Sequence, residues 1–393
     1  MNERPNGGDG VAAVVLAAGF SSRMGAFKPL LPFGATTVVG HVIAELTAAG
    51  IAPIVVVTGH RAEELTAGLA GLDVVAVHNP DHPQGMYTSL VAGIRALPET
   101  VEASLVLPVD VPLVRSGTFA RIARIGRRLI AGSDRGPAPV IAHPVFDGVR
   151  GHPPLIGRAL FPAILAGSGD GGLAALLDGH HARAAEIAVF DRGTLFDMDR
   201  PEDHARLVAR LARRRVPEPE ECEAIFDRLA VDETVRGHCR AVADLALSIA
   251  ACLVEAGLEL DIDLIAAGGV LHDLAKGRLH HAELAARYLV REGFPETARV
   301  VEAHMALPFV DGDRIDEAVV VHLADKLIRG ERRVSLDERF STAIRRWRDD
   351  PVIHAAVRRR QEAVAAMARA VERVAPGVLG PDFRCPEAAG SVS

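Results

Sequence analysis

Between residues 11 and 205 the chain alternates short apolar runs with segments whose apolar residues recur every three or four positions. The runs at 11–16, 54–58, 74–77, 105–108, 140–142 and 186–190 have the length and the Val, Ile and Leu content of buried strands. Segments 37–49, 62–69, 87–97 and 117–131 carry the helical period between them. Strand and helix in alternation predict a mostly parallel sheet with helices on both faces, an α/β three-layer sandwich. Ligands of such sheets bind outside the carboxyl ends of the strands. The turn at Gly19 and the carboxylate of Asp110 both follow predicted strands, so one crevice can hold both.

After Arg206 the strand pattern stops. Residues 206–221 are charged and contain Pro217 and Pro219, which suits a linker. From 222 to 375 almost everything reads as helix, with three- and four-residue apolar spacing in 242–253, 264–274, 282–290 and 318–328. Residues 376–393 are rich in Pro and Gly and read as a frayed tail. No internal repeat is visible, and the two halves differ in fold class. The expectation is a fusion: an α/β domain over 11–205, a linker, and an all-α domain over 222–375.

Composition narrows the function classes. The 393 residues are 49% hydrophobic and 24% charged, enough for two cores. A net charge of −7 argues against nucleic acid as a partner. The triplets Arg213-Arg214-Arg215 and Arg358-Arg359-Arg360 fit solvated helix faces or a linker. Cys222, Cys239, Cys252 and Cys385 form no C-x-x-C pair, which suits a reducing compartment and neither a disulfide scaffold nor a thiolate zinc site. Residues 1–10 are polar and lack a signal-peptide pattern, and no apolar run reaches the roughly 18 residues of a membrane span. A cytoplasmic protein without a membrane partner is expected.

The first candidate chemistry lies at Leu16-Ala17-Ala18-Gly19-Phe20-Ser21-Ser22-Arg23-Met24-Gly25 and Lys28. A glycine-bearing turn leaving a strand lets backbone N–H groups approach phosphate, and Arg23 and Lys28 add positive charge. The spacing is neither a Walker A loop nor G-x-G-x-x-G. Asp110, between Pro108 and Pro112, sits where a carboxylate can hold Mg²⁺ against triphosphate oxygens. Asp199, in Asp197-Met198-Asp199-Arg200-Pro201, can supply a second ligand, although a residue there also suits a helix start.

These segments resemble the MobA-like nucleotidyltransferases, closest to the molybdenum cofactor cytidylyltransferase branch. The resemblance also rests on Asn79-Pro80, Gly85-Met86-Tyr87-Thr88-Ser89, Arg150-Gly151-His152-Pro153 and Gly169-Asp170-Gly171. It implies a Rossmann-like nucleotidyltransferase fold in which the turn from Leu16 to Gly25, with Arg23 and Lys28, grips an NTP. It implies Mg²⁺ on Asp110 and Asp199, and a base read near Gly85 and Ser89. Ala18 leans towards CTP, whereas Val111 stands where cytidylyl enzymes often carry Met. The implied acceptor is molybdopterin or another small phosphate such as a sugar phosphate, with a molybdoenzyme as downstream partner. His152 is a candidate acceptor contact or a backbone-bonded turn residue.

The second candidate chemistry is His238, then His272-Asp273, then Asp325, each on or at the end of a predicted helix. Imidazole and carboxylate together suit Zn²⁺, Mn²⁺ or Fe²⁺. This order resembles the HD-domain metal-dependent phosphohydrolases, over about 234–340. That resemblance implies metal ligation by these four residues, a second metal on His281 and His304, hydrolysis of a phosphoester, and substrate phosphate neutralised by Lys276. A regulatory nucleotide-binding module is the competing expectation. His180, His181 and His280 read as surface residues.

Overall fold

The computed structural model describes residues 10–131, 141–180 and 184–380. Expectations on residue 140, His181, Cys385 and the tail beyond 380 lie outside the described residues. The chain divides into two compact units, Met1–Arg214 and Arg215–Ser393.

The first unit is built on an eight-stranded sheet among the described residues. Its strands are β1 (Val11–Leu16), β4 (Ile54–Thr58), β5 (Val75–His78), β6 (Ala103–Pro108), β7 (Ile141–Phe146), β8 (Val149–Arg150), β9 (Leu155–Gly157) and β10 (Ala184–Ala188); β2 (Pro32–Phe33) and β3 (Thr36–Thr37) form a separate hairpin. The order is β10-β7-β9-β6-β1-β4-β5, with β8 beside β7. β1 pairs in parallel with both β4 and β6. Every residue of β1 and β4 is buried, as a central parallel strand covered on both faces requires. From β1 the chain winds to β4 and β5 on one side and then to β6 on the other. The reversal leaves a crevice at the carboxyl ends of β1 and β6.

Helices cover the sheet because their apolar stripes face it. Helix Met86–Arg95 buries Leu90 and Ile94 against Val14 and Val57. Gly93 permits that approach: a Cβ there would lie 2.3 Å from Val14 Cγ1. β9 departs from the sequence pattern. It inserts antiparallel between β6 and β7. Three residues, Leu155, Ile156 and Gly157, are too few to register as a run of their own.

The stretch expected as a linker is largely helical. Helix Pro201–Arg213 buries Leu207. Pro219 is the first residue of helix Pro219–Arg228, which Glu218 and Glu221 close in a reciprocal capping box. Pro219 thus starts a helix instead of extending a tether.

The second unit is helical, with one small hairpin, β11 (Ile328–Arg329) and β12 (Arg332–Arg333). Helix Glu233–Glu255 is its centre. Helices Ile262–Leu271 and Glu317–Leu327 pack on it. Gly269 sets the first contact, since a Cβ would lie 2.8 Å from the Ala243 Cα. Helix Glu233–Glu255 is long and apolar enough by composition to cross a membrane, against the expectation that no such run exists. One face of it, with Cys239, Val242, Leu245, Ala246, Ile249 and Leu253, is buried in the unit, which suits a core helix.

A polar cluster ties the end of helix Pro201–Arg213 back to the sheet layer. Arg214 bonds His41 Nε2 at 2.6 Å and pairs with Glu45 at 2.6 Å, while Glu45 also accepts from the Ser116 amide. Burial and the Arg214 charge push the His41 pKa down to about 4.

Two stability outcomes follow from this packing. Gly93→Val is expected to cost about 1–3 kcal/mol in urea unfolding, because Val14 must move; an unchanged midpoint contradicts the close approach. A histidine whose folded pKa lies below its unfolded value contributes in full above pH 6.5, and that contribution is lost as pH falls towards 4. Unfolding measured at pH 7 and pH 4.5 is expected to show an acid loss smaller by ~2 kcal/mol in His41→Gln than in the parent. Equal losses contradict a buried neutral His41.

Candidate functional site

The loop after β1 is held by few contacts that fix it tightly. The Ala17 amide donates to the Val57 carbonyl and the Ala18 carbonyl accepts from the His60 amide, each at 3.0–3.1 Å. Ser21 has a left-handed backbone, φ 54°, which costs a non-glycine residue about 1–3 kcal/mol. Its carbonyl accepts from the Met24 amide and its Oγ from the Lys28 amide, both at 3.1 Å. These bonds bring Lys28 back beneath the loop. A Cβ at Gly19 or Gly25 would meet nothing within 4 Å, so the loop faces open space.

Lys28 is the hub of the crevice. Its Nζ lies 3.2 Å from Asp110 Oδ2 and 2.8 Å from Asp199 Oδ1. Arg23 donates to Asp199 Oδ2 at 2.9 Å. Burial opposes the charge on Lys28, but the hydrogen bond to Asp199 and the charge of Asp110 outweigh it and hold the pKa above its usual value. The hydrogen bond from Lys28 in turn holds the Asp199 carboxyl below its usual range. Asp199 is not used to start the following helix. That role falls to Asp203, whose Oδ2 accepts from the Asp199 and Arg200 amides at 3.1 and 2.9 Å. Asp199 is therefore left to face Lys28. Two carboxylates on one ammonium offer the hard oxygen donors Mg²⁺ takes, so the residues fit that ion.

The other expected positions separate. Gly85 opens helix Met86–Arg95 with φ 117° and open space beside it. Ser89 is buried, and its Oγ accepts from Asn79 Nδ2 at 2.9 Å, so it braces the loop carrying Asn79. Leu16 closes buried β1. His152 is exposed, with its amide bonded to the Thr194 carbonyl at 2.8 Å, and lies in range of the charges on Asp110 and Asp197. The sequence pattern does not single out Phe20, His60 and His82, whose rings gather with centroids 5.2 Å apart around Phe20. Each follows a parallel strand, and that strand-end position was the available signal.

In the second unit, six expected residues converge. His272 caps helix Ile262–Leu271 and Asp273 follows in the turn; helix Glu317–Leu327 carries Asp325 and helix Glu233–Glu255 carries His238. His238, His272 and Asp325 offer ligand atoms within 4.8 Å of one another, and so do Asp273, His281 and His304. Asp273 joins the two groups. Its Oδ2 is 3.7 Å from His238 Nε2 and 3.6 Å from His272 Nε2, and its Oδ1 is 3.4 Å from His281 and 3.5 Å from His304.

Backbone carbonyls set the tautomers. His238 Nδ1 donates to Gly330 and His272 Nδ1 to Gly269, each at 2.8 Å, and His304 Nδ1 donates to Val301 at 2.5 Å. A carbonyl only accepts, so each Nε2 keeps its lone pair turned inward. His272 Nε2 is buried and has no hydrogen-bond partner. Burial pushes the His272 pKa down to about 4, so the ring stays neutral, as a ligand must. Burial opposes ionisation of Asp273, but the surrounding imidazoles and the Lys276 ammonium keep it well below the carboxylate range. An orphaned inward nitrogen, neutral imidazoles and ionised carboxylates fit a divalent transition metal in each group.

Cations crowd the carboxylates. Lys276 Nζ reaches Asp273 Oδ2 at 2.5 Å, Lys326 contacts Asp325, and Arg339 Nη2 stands 3.6 Å from Asp325 Oδ1. Arg339 lies on helix Leu336–Arg346, one basic residue among several, and no spacing marks it in the sequence.

Residues 13–185 match the MobA-like NTP transferase domain family. Residues 235–330 match the HD domain family. The chain belongs to the MobA-like nucleotidyltransferases and carries an HD domain. The molybdenum cofactor cytidylyltransferase of Escherichia coli K12 is 28% identical over 195 residues, covering 49% of this chain and 93% of that protein. A bifunctional IPC transferase and DIPP synthase from Rubrobacter xylanophilus is 38% identical over 142 residues, which are 35% of this chain and 32% of that protein. The chain thus spans about a third of the Rubrobacter relative. Nicotine blue oxidoreductase of Paenarthrobacter nicotinovorans is 31% identical over 203 residues, covering 50% of this chain and 96% of that protein.

Asp325→Ala removes one ligand of the first HD group. The affinity for Mn²⁺, read by elemental analysis after dialysis, is expected to fall about tenfold or more. Metal content equal to that of the parent would contradict this ligand set.

Proposed function

We propose that this MobA-like nucleotidyltransferase moves CMP from CTP to a molybdopterin-like acceptor, and that its HD domain hydrolyses a phosphoester with bound divalent metal. The observation carrying the first half is the Lys28 ammonium shared by Asp110 and Asp199 beneath an open glycine loop. In the reaction an acceptor phosphate oxygen attacks the α-phosphorus, the bond to the β-phosphate bridge oxygen breaks, and pyrophosphate leaves. Asp110 and Asp199 would hold Mg²⁺, which would supply positive charge against the α-phosphate and leaving group. Arg23 and Lys28 then turn from the carboxylates to the triphosphate and hold it in line. This charge set handles phosphate, and that supports a transferase reading over the activity named for the Paenarthrobacter relative.

Among acceptors, the Escherichia relative supports molybdopterin because nearly its whole length is matched. The higher identity of the Rubrobacter transferase favours a different small phosphate as the second reading. For the HD domain, two complete ligand groups support catalysis over a purely regulatory role.

Pyrophosphate release from CTP, GTP, ATP and UTP, each with molybdopterin and Mg²⁺, tests the transferase. Release is expected with CTP foremost, and Asp110→Ala is expected to lower it by a factor on the order of 10² or more while leaving the fold intact. Parental rates in Asp110→Ala would overturn the assignment. Phosphate release by the intact chain with Asp325→Ala as control tests the HD reading; none from any phosphoester tried leaves the regulatory role.

A further inference from the structure

A cavity of about 460 Å³ opens beside the HD ligand groups, with Asp273 and Lys276 in its wall. The rest of its lining is mostly apolar, from Leu229, Val231, Val235 and Leu284, with Arg278 and Tyr288 among them. Tyr288 is braced by the Arg291 guanidinium, 5.1 Å from its ring centroid. Ala230, also in the wall, holds a left-handed backbone, φ 49°. A left-handed backbone is sterically unfavourable for alanine, so the surrounding structure fixes this rim.

These features separate two regions by chemistry. The wall formed by Asp273 and Lys276 is charged and adjoins both ligand groups, which suits a phosphate. The volume beyond is far more than a phosphate needs and lies in the range of small-molecule sites. Its aliphatic walls favour an apolar body, and an aromatic ring with a guanidinium favours a flat one. Resting on the HD-domain reading above, we propose that the cavity binds the alcohol portion of a phosphomonoester, and that this portion is a planar ring system. In hydrolysis, water oxygen bonds to phosphorus, the ester P–O bond breaks, and its electron pair stays on the ring-bearing oxygen, which takes a proton from the water. With Asp273 serving as a metal ligand, Lys276 would be free to pair with the phosphate.

The test uses the full chain loaded with Mn²⁺ and two kinds of probe. Equilibrium binding of phenylphosphonate and methylphosphonate by calorimetry reads the cavity without turnover, and hydrolysis of phenyl phosphate and methyl phosphate reads catalysis. The parent is expected to bind phenylphosphonate at least about tenfold more tightly than methylphosphonate. Leu284 is 43% exposed, so Leu284→Trp can fill the cavity without disturbing the core. That variant is expected to lose the phenyl preference while keeping its metal content and its affinity for methylphosphonate. Arg278→Ala, a second surface change, is expected to reduce the preference severalfold. Equal binding of both phosphonates by the parent, or an unchanged preference in both variants, overturns the proposal. Phenyl preference without hydrolysis of either ester upholds the cavity assignment and overturns the hydrolase reading alone.

Discussion

One ammonium holding two carboxylates from distant parts of the chain organises the transferase crevice. Lys28 is 82 residues from Asp110 and 171 from Asp199, yet it lies within 3.2 Å of both. Without it, two anions would face each other at the mouth of the sheet, at a cost that burial increases. The fold supplies the geometry. Parallel pairing of β1 with β6 lines up the glycine loop with Asp110, and the Asp203 cap frees Asp199 from the start of its helix.

The HD domain solves the same problem with more cations and more burial. Asp273 and Asp325 are buried and ionised, held so by Lys276 and Lys326. Three histidines are aimed inward by carbonyls of their own helices or of the β11–β12 turn. The small hairpin matters for that reason: Gly330, at its tip, fixes the His238 ring.

Much of this was legible in the sequence because the signals were local. The run 11–16 is a central strand, and the ligand order from His238 to Asp325 rests on helices whose period is plain. What escaped depended on partners far along the chain. β9 is recognisable only by what it pairs with. Asp199 looks like a helix starter until hydrogen bonds give that role to Asp203. Ser89 suits base recognition by its place in the motif, yet its hydroxyl is committed to Asn79. The charged stretch around Pro217 and Pro219 looks like a tether in composition, but proline in a first helical turn is a start signal. Arg339 reaches Asp325 only because helix Leu336–Arg346 folds back beside it.

In the proposed reaction a divalent ion would replace the Lys28 ammonium between Asp110 and Asp199 when nucleotide binds. Crystals grown with CTP and Mn²⁺ and measured at the manganese edge test it most directly. One anomalous peak is expected, coordinated by both carboxylates and by triphosphate oxygens, with Lys28 moved onto phosphate. A nucleotide bound with its metal away from Asp110, and Lys28 still seated on both carboxylates, would contradict it.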